Sequence, residues 1–169
     1  VQAQVPNTAH DGWRDITTVT ASVGFGGVTL SGQVTDITNV SSLQAGELSA
    51  GKFMAIDRDC DGSLSDESVG DATFEIAKGA APGECVIYRI SFRNEGTGAV
   101  TNVDVRDMPP AFTVYVGGSA TYETTPSGLV SGTATTPAAN DNGALSFPYS
   151  GSLSSGDEGA VTYGVRVGD

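Results

Sequence analysis

The chain is predicted to be all-β, a β-sandwich with an extra N-terminal β-hairpin or donor arm, and three observations carry that prediction. Val86, Tyr88, Ile90 and Phe92 alternate with Ile87, Arg89, Ser91 and Arg93, the period of two of a half-buried strand. The composition, with 23 glycines in 169 residues and abundant Thr, Ser and Val, favours short strands joined by tight turns. No stretch carries the spacing of an amphipathic helix. The length suits one ordinary domain with an added arm, enough to bury about two thirds of its unfolded surface.

Residues 1–12 have no periodicity and read as an arm ordered, if at all, by a partner. Thr17, Val19, Ala21, Val23 and Phe25 then share one face, Gly26-Gly27 turns the chain, and Val28, Leu30, Gly32 and Val34 return on one face. Residues 37–48 read as a loop or short strand, and residues 52–56 as the first strand of the sandwich. A loop follows over 57–67 and a short strand over 73–77, with Phe74 and Ile76 opposite Thr73, Glu75 and Ala77. The central strand over 86–93 is expected to turn at residues 94–98 and pair in a hairpin with a strand carrying Val100, Val103 and Val105. Pro109-Pro110 stops further pairing there. Strands near 112–116, 121–123, 129–133, 145–147 and 160–167 complete the reading, separated by Gly, Pro and Asn-Asp-Asn-Gly turns.

The run through Pro82-Gly83, the alternating strand, Asn94, Gly96, Gly98, Thr101-Asn102-Val103 and Asp107 resembles the conserved-repeat, immunoglobulin-like domain of prokaryotic surface proteins. The likeness continues over 112–119 and returns at 153–167, where Val161, Tyr163, Val165 and Val167 share a face. It covers about the C-terminal two thirds of the chain, and it implies an immunoglobulin-like sandwich and an extracellular setting, not a reaction. That fold needs seven to nine strands, which residues 51–169 supply alone. The hairpin over residues 17–34, within an N-terminal region of residues 1–50, is therefore surplus. Either it widens its own sandwich, or it is donated to a neighbouring copy through Val19, Val23, Phe25, Val28, Leu30 and Val34, a head-to-tail contact that builds filaments.

Asp57-Arg58-Asp59-Cys60-Asp61-Gly62-Ser63-Leu64-Ser65-Asp66-Glu67 resembles the calcium loop of EF-hands and dockerins. Carboxylates at alternate positions converge if the chain wraps sharply, and Gly62 permits the turn. The resemblance implies calcium ligands at Asp57, Asp59, Asp61, Ser63 (through its carbonyl) and Ser65 (through a water). Ser68 stands where a bidentate Glu is expected, so Glu67, Asp66 or Asp71 would take that place. Two Cys and one remote His give too few soft ligands for zinc. In an acidic, lysine-poor chain of surface-protein type, Cys60 and Cys85 read as a disulfide worth about 3 kcal/mol, the alternative being two thiols in a reducing cell.

A net charge of −12 with scattered Lys and Arg argues against nucleic acid and anionic membranes and favours cations. No apolar run is long enough to span a bilayer and no leader pattern is present, while a start at Val1 suggests a processed product. The lone His10 has no nucleophile in its sequence context, and acidic pairs such as Asp104 and Asp107 fall at turns and strand ends, so no enzyme is expected. The expectation is a secreted or cell-surface structural subunit that self-associates into a homopolymer with calcium. The alternative is a calcium-stabilised adhesin or carbohydrate-binding module; Trp13, Tyr115, Tyr122 and Tyr149 could form a sugar-stacking platform for it, but they read first as core or interface anchors.

Overall fold

The computed structural model describes residues 13–25, 28–39 and 45–168, with backbone alone at 15, 23, 25, 28–30, 36, 38 and 39. The chain divides into two compact units, Val1–Leu43 and Gln44–Asp169.

In the first unit β1 (Arg14–Phe25) and β2 (Val28–Asn39) form a two-stranded antiparallel ribbon, in register from Arg14 with Asn39 to Phe25 with Val28. Its Thr and Val content suits extended backbone, because β-branched side chains are stiff at χ1 and pack well on a pleated surface. Val19 sits opposite Val34, and Ile16 opposite Ile37. The two pairs differ in parity, so they occupy opposite faces. Both faces are open to solvent, with Val19 57% and Val34 72% exposed. The Gly26-Gly27 turn and the side chains of Val23, Phe25, Val28 and Leu30 lie outside the described residues.

The second unit contains β3 (Leu48–Asp57), a one-turn helix α1 (Val69–Ala72), β4 (Cys85–Asn94), β5 (Val100–Thr101), β6 (Asp104–Asp107), β7 (Thr113–Tyr115), β8 (Thr121–Thr124), β9 (Leu129–Ser131), β10 (Leu145–Leu153) and β11 (Glu158–Val167). One antiparallel sheet has the order β3-β4-β11-β7, with β8 also on β11; the other has β5-β10-β6, with β9 also on β10. The fold is all-β, two antiparallel sheets enclosing one core. Ile90, Phe92, Val161, Tyr163 and Val165 from the first sheet and Leu145, Phe147 and Leu153 from the second are buried in it. Rings meet across the gap: Phe92 and Tyr149 at 5.4 Å, Tyr122 and Phe147 at 5.5 Å. Tyr115 and Tyr149 are core residues and Tyr122 is half-buried against them, so they form no exposed stacking platform.

The expected central hairpin does not form. β4 pairs with β3 and β11 on its two sides, while β5 and β6 cross to the opposite sheet and pair with β10. The cause lies at the end of β4, where the fully buried Asn94 side chain makes four hydrogen bonds. Its Oδ1 accepts from the Glu47 and Gly96 N–H groups at 3.1 and 3.0 Å, and its Nδ2 donates to the Gly98 and Leu153 carbonyls at 2.7 and 3.0 Å. The loop is thereby pinned against the segment preceding β3. At Gly96 a Cβ would come within 2.2 Å of the Ala45 carbonyl oxygen, so this approach requires glycine. Residues 73–77 also depart from expectation: only Glu75 bridges Met54, and the residues just before form α1, whose N-cap Ser68 accepts from the Asp71 N–H at 3.2 Å.

Candidate metal centre

Asp57 is the last residue of β3 and is held in register opposite Cys85, so the ladder delivers its carboxylate to a buried corner; the residue is only 2% exposed. Beyond it the chain reverses through left-handed conformations at Cys60 (φ 62°) and Gly62 (φ 85°). This wrap folds Asp59 and Asp61 back on Asp57, and one oxygen of each of the three carboxylates lies within 4.8 Å of the others. Asp57 Oδ2 accepts from the Gly62 N–H at 2.9 Å, whereas its buried Oδ1 has no hydrogen-bond partner. Burial raises the Asp57 pKa above the ordinary carboxylate range, and the neighbouring Asp59 adds to that.

A buried carboxylate oxygen without a donor, beside two further carboxylates, is unfavourable unless a cation completes it. The donor set is all oxygen, which suits a hard divalent cation and not zinc. Asp57, Asp59 and Asp61 could therefore hold a metal ion. Of the other sequence-predicted ligands, Ser63 and Ser65 bond each other through their hydroxyls at 2.8 Å, and Ser63 N–H donates to Asp61 Oδ1 at 2.7 Å. Glu67 accepts from the Arg58 N–H at 2.6 Å. Asp71 gives both oxygens to the Arg58 guanidinium at 2.9 and 3.0 Å, and Glu84 pairs with the same guanidinium. Arg58 and then Ser68 hold the Asp71 pKa low, while the Ala81 N–H and then Arg58 do the same for Glu84. Arg58 thus engages three of the surrounding acids and clamps the loop to the chain entering β4. Its signal in the sequence is that it is the one basic residue among residues 57–71.

Cys60 and Cys85 form a disulfide, with an S–S distance of 2.04 Å and a Cα–Cα distance of 5.1 Å. It ties the loop to the first residue of β4, and such bonds persist in oxidising compartments. Replacing both cysteines by serine is expected to cost about 3 kcal/mol, from the regained freedom of the 25-residue separation. Urea unfolding with and without reductant checks this: the native chain should fall to the double variant's stability when reduced, and the variant should not respond.

Beside the loop a cleft of about 280 Å³ is lined by Asp57, Asp61, Gly118, Ser119, Thr121 and Thr162. No described helix is long and apolar enough to cross a membrane. No protein-family model, curated protein or solved structure matches the chain.

Proposed function

We propose that the protein is a structural subunit of an extracellular filament or surface layer, an immunoglobulin-like domain that assembles head to tail by β-strand donation and is stiffened by calcium and its disulfide. The observation that carries this reading is the ribbon of β1 and β2. Among the described residues these strands pair only with each other, and they present apolar pairs to solvent on both faces. A two-stranded ribbon is marginal in water, and its open edges can add to another sheet. The occupant of those edges in this reading is a second copy of the chain. The all-oxygen set of Asp57, Asp59 and Asp61 supports a hard cation, and in this reading it is calcium that stiffens the corner of the fold.

The test is electron microscopy and sedimentation of the purified chain, with calcium and with chelator. Regular fibres or sheets are expected, and a shortened chain lacking residues 1–43 should stay folded and monomeric. Val19→Lys with Val34→Lys should likewise suppress assembly, since both positions are exposed in the isolated subunit. A monodisperse full-length monomer under both conditions would overturn the reading. A second reading, a calcium-stabilised adhesin or carbohydrate-binding module, is favoured by the cleft beside the acidic loop. Calcium-dependent retention on a glycan array, abolished by Thr121→Trp in that cleft, would support it.

A further inference from the structure

The edge strand β3 carries a lysine on the face its neighbours bury. Lys52 is in register with the buried Ile90, so its side chain enters the space between the sheets. Its Nζ ends 2.5 Å from Oδ2 of Asp107, the last residue of β6 in the opposite sheet. Tyr163, fully buried on β11, donates its phenolic hydrogen to the same Oδ2 at 2.6 Å, and its oxygen accepts from Lys52 Nζ at 3.1 Å. The Tyr88 ring covers the amine, its centroid 4.1 Å from Nζ. The Lys52 and Asp107 side chains remain 34% and 19% exposed, so water can leave the pocket.

We infer that Lys52 and Asp107 condense to an amide that cross-links the two sheets, with Tyr163 as the catalytic residue. In dilute solution, solvent water opposes condensation of an ammonium with a carboxylate. Groups held against each other in a near-attack geometry react with effective molarities of about 10⁵–10⁸ M, which speeds the joining step, and the water released is lost to solvent. Nζ stands no farther from Asp107 Cγ than about 3.7 Å, the observed contact plus one C–O bond of about 1.23 Å. Once the ammonium has passed a proton to the carboxyl group, the Nζ lone pair forms the N–C bond. The displaced electron pair rests on Oδ1, which accepts from the Met108 N–H at 2.9 Å. The Cγ–Oδ2 bond then breaks, and Oδ2, which both Nζ and the Tyr163 hydroxyl touch, departs as water carrying two hydrogens that began on Nζ, one passed directly and one through Tyr163. The third remains as the amide N–H. Tyr163 relays a proton and ends as it began, and no other reactant is consumed. Burial, then the Asp107 carboxylate, raises the Tyr163 pKa far above the ordinary phenol value, which keeps it a donor.

Intact-mass measurement of the full chain, with the disulfide reduced, decides the matter. The folded chain is expected to be one water lighter than its sequence mass, and proteolysis should yield a branched peptide joining the Lys52 and Asp107 segments. Lys52→Arg and Asp107→Ala should each show their full sequence mass. Tyr163→Phe keeps the ring and removes the hydroxyl, so fresh protein should be largely unjoined and lose water slowly. Complete water loss in that variant would overturn the role of Tyr163. Full sequence mass in the unaltered, folded chain would leave only an ion pair and overturn the proposal.

Discussion

Asn94→Ala is expected to lower the stability of the sandwich by about 4 kcal/mol, because it strips partners from two N–H and two C=O groups at once and each unsatisfied buried group costs about 1–3 kcal/mol. The low end of that range applies where loop backbone can turn toward water. Asn94→Asp sharpens the argument: it retains both acceptor bonds but sets a second carboxylate oxygen against the Gly98 and Leu153 carbonyls. It should therefore be no milder than alanine at neutral pH despite being isosteric. Urea titrations with unchanged m-values would give both numbers. A loss below about 1 kcal/mol for the alanine variant would mean that water replaces the amide at this corner.

Calcium at a thousandfold excess over its dissociation constant is expected to stabilise the sandwich by about 4 kcal/mol, on the order of 10 °C in melting temperature, reversed by chelator. Asp57→Asn gives the response its signature. It removes a buried carboxylate whose Oδ1 has no donor, so the metal-free variant should be as stable as the parent or more so, while its gain from calcium disappears. Asp59→Asn and Asp61→Asn, at exposed positions, should weaken the calcium response without that gain. Magnesium should substitute poorly, since it demands tight octahedral geometry. Thermal melts of the four proteins with calcium, magnesium and chelator are the measurement. An equal calcium response in Asp57→Asn would remove Asp57 from the site.

Most strands were legible in the sequence, because alternation reports which face of an extended segment is buried. The pattern at residues 86–93 lies within β4, and those at 17–25 and 28–34 lie within β1 and β2. Alternation does not report which strand lies alongside, so the crossing after Asn94 looked like a hairpin turn. β10 was expected only near 145–147 because Pro148 and Gly151 interrupt its pattern, yet it runs to Leu153 and organises the second sheet. In the acidic loop the spacing of Asp57, Asp59 and Asp61 was readable, since a sharp wrap dictates that they converge. The partners of Glu67 and Asp71 were not, because Arg58 reaches them through the fold. Lys52, Asp107 and Tyr163 meet only after two sheets close, and no local pattern joins them.

The strand directions also set how this domain would respond to pulling. β3 enters the first sheet beside the Asn94 end of β4, and β11 leaves it beside the Cys85 end, so the two are parallel with β4 antiparallel between them. Tension applied between the start of β3 and the end of β11 loads the interstrand hydrogen bonds in shear, all at once along each ladder, and not one after another as in a zipper. For a chain of such domains under stretch, failure would need an entire ladder to rupture in a single event.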